Sequence, residues 1–246
     1  ALQPIYKTNE FPGVEVEAKF NITSGHSNDL IATSIYKVVT DNQDNFQIQP
    51  LSNLKSIRET HTHAIRYGVN KGGKWEEAFV ITDRPERSWV GIKRKTNQEV
   101  DDGILFRKED RKTLERWPAW TPWAEETVIS QEAQRLAVNP KDILRIGEIT
   151  RRKLNIYTQK RGTNRLYIIS VDECVDKKGK VLRQIEIEYG GRTGIHPTIE
   201  QVSKVEVKGD IAKLKGLIKG VCQDGGTALE ETLQTKFDFL LASYQG

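Results

Sequence analysis

Glu15, Glu17 and Lys19 alternate with Val14, Val16, Ala18 and Phe20. Successive side chains of a β-strand point to opposite faces, so the two carboxylates and the ammonium share one face and the apolar residues the other. Two carboxylates at this spacing sit roughly 6–7 Å apart, close enough to share one hard cation. The pattern returns far along the chain in Gln184-Ile185-Glu186-Ile187-Glu188-Tyr189, and Asp172 ends a strongly β-forming run just before it. Between these acidic stretches lie Arg66, Lys93, Lys95, Arg107, Arg111, Arg151 and Lys153, all in strand-like surroundings. A basic surface binds a polyanion, and carboxylates beside it bind Mg²⁺ or Mn²⁺, which take oxygen ligands. A polyphosphate carrying its divalent metal satisfies both sets at once.

Positioning such groups requires strands. Alternation and β-propensity predict about eight, over 14–20, 58–67, 75–82, 88–96, 104–111, 146–157, 166–175 and 181–189. They are joined mainly by hairpins, with Gly72-Gly73 and Asp176-Lys177-Lys178-Gly179 as turns. Residues 1–13 read as an extended lead-in, and 40–56 and 112–126 as loop insertions. Helices are predicted after a cap at Ser27 or Asn28, from Ser130 to about Val138, and over about 198–243. The last region shows capping-box spacing at Thr198/Gln201 and Thr227/Glu230, and an apolar stripe of Leu229, Leu233, Phe237 and Leu240. In Trp117-Pro118-Ala119-Trp120-Thr121-Pro122-Trp123 the prolines argue against regular structure. Its three tryptophans read as core cover or a subunit contact ahead of a stacking platform for a base. His61 and His63 share a strand face, yet no third His or Cys nearby completes a metal site.

Two arrangements of the charged faces remain open on pattern alone. They look outward to water, or the sheet closes and they line one lumen. In Lys93-Arg94-Lys95 and Arg151-Arg152-Lys153 the inward residues are ambiguous, because a one-residue slip turns every side chain to the other face.

Composition narrows the class. The 246 residues suit one large domain or two small ones, and are taken as one, 1–246. Charged residues make up 29% and hydrophobic residues 37%, which excludes a disordered chain. The 38 Lys and Arg are offset by 34 Asp and Glu, so the net charge is only +4. That balance points to local segregation of charge and away from a uniformly basic nucleic-acid binder. Cys174 and Cys222 are isolated, which excludes a disulfide framework and a Cys-based zinc site. There is no apolar run near 18 residues and no secretory h-region, and a cytoplasmic location is expected.

Taken together, Glu15-x-Glu17-x-Lys19, the basic middle, and Asp172 followed by Glu186-x-Glu188 resemble the CYTH superfamily, the triphosphate tunnel metalloenzymes, which joins a bacterial adenylate cyclase with thiamine triphosphatase. The resemblance implies a mainly β (α+β) fold, an eight-stranded antiparallel closed barrel or tunnel wrapped by helices. It implies metal-dependent hydrolysis of inorganic, nucleoside or thiamine triphosphate. A class IV-type adenylate cyclase or a non-catalytic binding module on the same tunnel are the alternatives. By the same resemblance Glu15, Glu17, Asp172, Glu186 and Glu188 serve Mg²⁺ or Mn²⁺ or position the attacking water, and Glu15, Glu17 and Lys19 are the catalytic candidates. Lys19, Arg66, Lys93, Lys95, Arg107, Arg111, Arg151 and Lys153 are the candidates for holding phosphate. An Arg-x-Arg pair is expected on the strand of Arg66, where Ala64 stands instead. The partner implied is a small molecule containing a triphosphate, with no membrane or nucleic-acid partner, and a homodimer is left open. If Glu186 and Glu188 ligate a metal, Glu→Gln at either is expected to stabilise the metal-free chain slightly, because a carboxylate cluster repels itself.

Overall fold

Tight glycine turns set the strand pairing in this computed structural model, which describes residues 7–8, 14–42, 45–49, 57–83, 90–114, 120–193 and 204–244. In chain order the elements are β1 (Lys7–Thr8), β2 (Val14–Ser24), α1 (Asn28–Asp41), β3 (Phe46–Ile48), β4 (Arg58–Lys71), β5 (Lys74–Asp83), β6 (Val90–Asp101), β7 (Ile104–Leu114), α2 (Pro122–Leu136), β8 (Ile143–Lys160), β9 (Arg165–Asp176), β10 (Val181–Thr193), α3 (Lys204–Asp224), β11 (Ala228–Glu231) and α4 (Lys236–Tyr244). Gly72 and Gly73 turn β4 into β5 with φ of 60° and 88°, and Asp102 and Gly103 turn β6 into β7 with φ of 51° and 74°. Two successive left-handed residues match the twist of a two-residue hairpin.

The strands run β10-β9-β8-β4-β5-β6-β7-β2, all antiparallel, and β2 pairs back onto β10 to close a ring of eight. β1, β3 and β11 are short additions on β10, β8 and β2. The polarity is inverted relative to a filled barrel. Apolar strand faces point outward, where α1 and α3 cover Val16, Phe20, Ile169, Val171, Ile185 and Ile187 with Ile31, Ile35, Ile211, Leu214 and Ile218. α2 covers Ile65, Tyr67, Phe79 and Ile81 with Val128 and Ala133. The charged faces are thereby left to the lumen.

One end of the lumen is apolar and is stopped by α4. Phe237 and Leu240 pack on Ala64, Val80, Ile149, Cys174 and Leu182. Glycine makes room for them: a Cβ on Gly68 would meet Phe237 at 2.9 Å, and one on Gly147 would meet Leu240 at 2.9 Å.

The eight strands, both turns and the Ser27 cap, which accepts from the Leu30 amide, match the sequence reading. Two helical expectations do not hold. α2 starts at Pro122, eight residues before Ser130, with Thr121 as its cap. Proline there marks the first helical turn, where its missing N–H costs nothing, and does not break the structure. Thr227 and Glu230 do not cap a helix either: residues 228–231 form β11 against β2. The proposed stripe is therefore split, with Leu229 in a strand, Leu233 half exposed before α4, and only Phe237 and Leu240 on the helix. Within the 40–56 insertion, Phe46–Ile48 is a strand on β8. The rest of the lead-in at 1–13, residues 43–44 and 50–56, Trp117 to Ala119, and the Thr198/Gln201 pair lie outside the described residues. Among the described residues no helix is long and apolar enough to cross a membrane.

Candidate active site

Ring closure brings the two acidic motifs together. Across β2 and β10, Glu17 stands opposite Glu188 and Lys19 opposite Glu186. Across β2 and β7, Glu15 stands opposite Arg107. On β6, Lys93 and Lys95 face inward, while Arg94 points outward to Glu132 and Asp110. On β8, Arg151 and Lys153 face inward, while Arg152 points outward to Asp29 and Glu59. Both ambiguous basic runs are resolved by one rule: the middle arginine finds carboxylates outside the barrel.

The central cavity is lined by Glu15, Glu17, Lys19, Arg66, Lys93, Lys95, Arg107, Arg111, Arg151, Lys153, Glu186, Glu188 and Lys236. Asp172 is buried just beneath them. Arg111 stands at the rim, with its side chain 59% exposed and paired to Glu109. The open space among these side chains is about 60 Å³, so their long stems fill the lumen in this arrangement.

The site has two halves with different electrostatics. Next to α4, Arg151 Nε donates to Asp172 at 2.7 Å and an Arg151 terminal nitrogen donates to Glu186 at 3.1 Å. Lys236 lies 3.1 Å from Asp172 and also donates to Glu186. Burial pushes both carboxyls up, but Arg151 and Lys236 outweigh it and hold Asp172 below and Glu186 well below the usual carboxylate range. These charges are mutually satisfied.

The other half is not. Lys95 pairs with Glu15 at 3.0 Å and Glu109 at 3.3 Å. Against the penalty of burial, Lys95, Arg107 and Lys19 hold the Glu15 carboxyl far below its ordinary value. Lys19 lies 2.8 Å from Glu17 Oε1, yet that oxygen receives no directed hydrogen bond. Among the described residues, Lys93, Arg107, Lys153 and Glu188 form no ion pair or side-chain hydrogen bond, and Arg107 Nε is a buried donor without an acceptor. Burial, then Lys95 and Arg111, push Lys93 down to about 7. Burial, then Arg151, lowers Lys153. Burial, then the Glu15 carboxylate, pushes Glu188 up to about 7.

Among the described residues no three Asp, Glu, His or Cys side chains converge tightly enough to cage a metal unaided. Mg²⁺, however, is commonly held by one or two carboxylates completed by water and phosphate oxygens. Glu188, with no cation of its own, and Glu17, with an oxygen to spare, fit that partial donor set. Glu186 does not, because Lys236 and Arg151 take one oxygen each, and Asp172 fits less well, because both cations share its Oδ2 and leave only Oδ1 without one.

Lys236 and Glu77 were missed by strand alternation. Lys236 arrives from a helix, where a period of two has no meaning. Glu77 bonds Arg66 at 2.8 Å from what simple alternation makes the outward parity of β5. Tyr67 pairs with Phe79 but Gly68 pairs with Glu77, so a bulge at Ala78 swaps the faces. The vacancy left by Ala64 in the expected Arg-x-Arg is also explained, since Ala64 packs against the residues that seat α4.

No protein-family model and no curated protein matches the sequence. Solved structures do. HpAC1 from Hippeastrum, a protein named for adenylyl cyclase and described as revealing a dominant triphosphatase activity, is 14% identical with a TM-score of 0.52. The match covers 93% of this chain and 95% of that one. PH1012 from Pyrococcus horikoshii OT3 is 14% identical over 89% of this chain and 96% of that one, with a TM-score of 0.40. The S. pombe Pct1 RNA triphosphatase is 11% identical over 89% of this chain and 82% of that one, at 0.31. The likeness to HpAC1 and the closed ring of eight antiparallel strands show that this chain shares a tunnel fold with that protein.

Proposed function

We propose that the protein hydrolyses a triphosphate inside the tunnel, with Mg²⁺ or Mn²⁺ held at Glu17 and Glu188 and supported by Glu15. Three unpaired cations facing one unpaired carboxylate inside a closed wall carry this reading. Burying unpaired charges is costly, and a polyanion with its metal relieves all of them together. Lys93, Arg107 and Lys153 bind phosphate oxygens, and Lys95 and Lys19 would be free to join them where Glu15 and Glu17 hold the metal. A divalent ion so held offsets charge on the phosphate oxygens as a Lewis acid. Water attacks the terminal phosphorus in line; the new P–O bond forms as the bond to the bridging oxygen breaks and the shortened phosphate leaves. Fixed lysines and arginines meet the charge spread over the transferred group without reorganising solvent. The fold shared with HpAC1, a protein described by a dominant triphosphatase activity, accords with hydrolysis ahead of cyclisation.

A panel of triphosphates assayed with Mg²⁺ or Mn²⁺ for phosphate and for cyclic AMP tests this. Metal-dependent phosphate release is expected. Cyclic AMP as the main product assigns a cyclase instead, and tight binding without turnover assigns a binding module.

A further inference from the structure

β5 and β6 do not pair along their whole length. Their ladder runs only from Val80 opposite Lys93 to Asp83 opposite Val90. Beyond it the β4–β5 and β6–β7 hairpins diverge, and the seam opens into a cleft of about 630 Å³. Lys95 and Arg107 line both this cleft and the lumen, so the cleft leads sideways into the tunnel.

That volume lies within the range of small-molecule sites. The cleft's charges differ in kind from those of the lumen, because the wall itself neutralises most of them. Lys71 lies 3.5 Å from Glu76, Arg94 is held by Glu132 and Asp110, and Arg135 by Glu132 and the Ala78 carbonyl. A continuing run of phosphates would need unpaired cations at intervals, as in the lumen; here, among the described residues, exposed Lys74 has none of these pairings, and the other unpaired cation, Arg107, stands where the cleft meets the lumen. What the cleft offers is Trp75, half-buried and braced edge-on by Tyr244 at 5.6 Å, with Leu233 and Phe237 nearby. A rigidly held indole beside apolar side chains stacks on flat organic rings.

We propose that this side cleft takes a flat, uncharged organic group attached to the triphosphate, so that the substrate is a triphosphate ester of nucleoside type and inorganic triphosphate is the poorer ligand. The proposal rests on the reading of the lumen as a triphosphate site and adds the identity of what the triphosphate carries.

Its test compares ATP with inorganic triphosphate and inorganic tetraphosphate, by steady-state kinetics and by calorimetric Kd. The proteins are the wild type, Trp75→Ala and Leu233→Arg, the last at a half-exposed position between β11 and α4. Both variants are expected to raise KM and Kd for ATP roughly tenfold, while the values for inorganic triphosphate move less than about twofold. Equal losses on ATP and inorganic triphosphate, no loss on ATP, or tetraphosphate binding tighter than ATP each overturn the proposal. If nothing is turned over, hydrolysis fails but the cleft is still decided: ATP binding that depends on Trp75 upholds it, and binding indifferent to Trp75 overturns it.

Discussion

Glu186 and Glu188 are two positions apart on one strand face, yet they are opposite cases. Glu186 accepts from Lys236 and Arg151; Glu188 has neither partner and faces Glu17. The expectation that Glu→Gln stabilises the metal-free chain is therefore kept for Glu188 and reversed for Glu186. Glu188→Gln removes a carboxylate that burial and Glu15 hold at about 7, against 4.5 ordinarily. A raised carboxyl adds stability below pH 4.5 that is lost as pH rises to about 7. The variant lacks that loss, so at pH 8 without metal it should melt above wild type by about 1–2 kcal/mol, or roughly 2–8 °C. Glu186→Gln leaves buried cations short of a partner and should cost about 3 kcal/mol. Thermal melts from pH 4 to 8 separate the two. Lys93 gives a second signature. At pH 8 its amine is mostly neutral, and a bound phosphate favours the ammonium, so triphosphate binding should take up protons. Calorimetry in two buffers of different ionisation enthalpy reads that uptake, and Lys93→Ala should reduce it while leaving Tm nearly unchanged.

Among the elements, α4 links packing to chemistry. Phe237 and Leu240 seat it in the apolar end of the barrel, and the same helix presents Lys236 to Asp172 and Glu186. Phe237→Ala should cost about 3–4 kcal/mol in melts and should weaken inorganic triphosphate binding as well, because Lys236 loses its support. Unchanged affinity would show that α4 is packing alone. The strands and the inward set were legible because alternation is a local signal repeated eight times. The opaque parts are those that break the period or depend on distant chain. The Ala78 bulge hid Glu77, a helix delivered Lys236, and Pro122 began a helix where proline was taken as a break. Which residue of Lys93-Arg94-Lys95 turns inward was settled by Glu132 on α2, a partner that no strand pattern contains.

For the whole molecule, the ligand-free tunnel holds ammonium groups that burial and basic neighbours disfavour, Lys95 and Arg111 at Lys93 and Arg151 at Lys153. Inorganic triphosphate should raise Tm even without metal, by an amount that grows with ligand concentration. Moderate salt should weaken that effect less than it weakens surface ion pairs, because buried charges are poorly screened. A Tm indifferent to triphosphate would remove the lumen as its binding place.

The seam between β2 and β10 also governs assembly. β2 is synthesised well ahead of β10, which carries Glu186, the partner of Lys19. At synthesis rates of about 5–20 residues per second, β2 waits roughly 10–30 s before the ring can close. Until then its apolar face and one hydrogen-bonding edge lack their final neighbours, which is the condition that favours strand-mediated aggregation. β7 arrives first and covers the opposite edge, with Glu15 set against Arg107. Closure is thus a late, non-local step, and the acidic half-sites meet only when it happens. The candidate centre is complete only later still, when α4 brings Lys236 to Asp172 and Glu186.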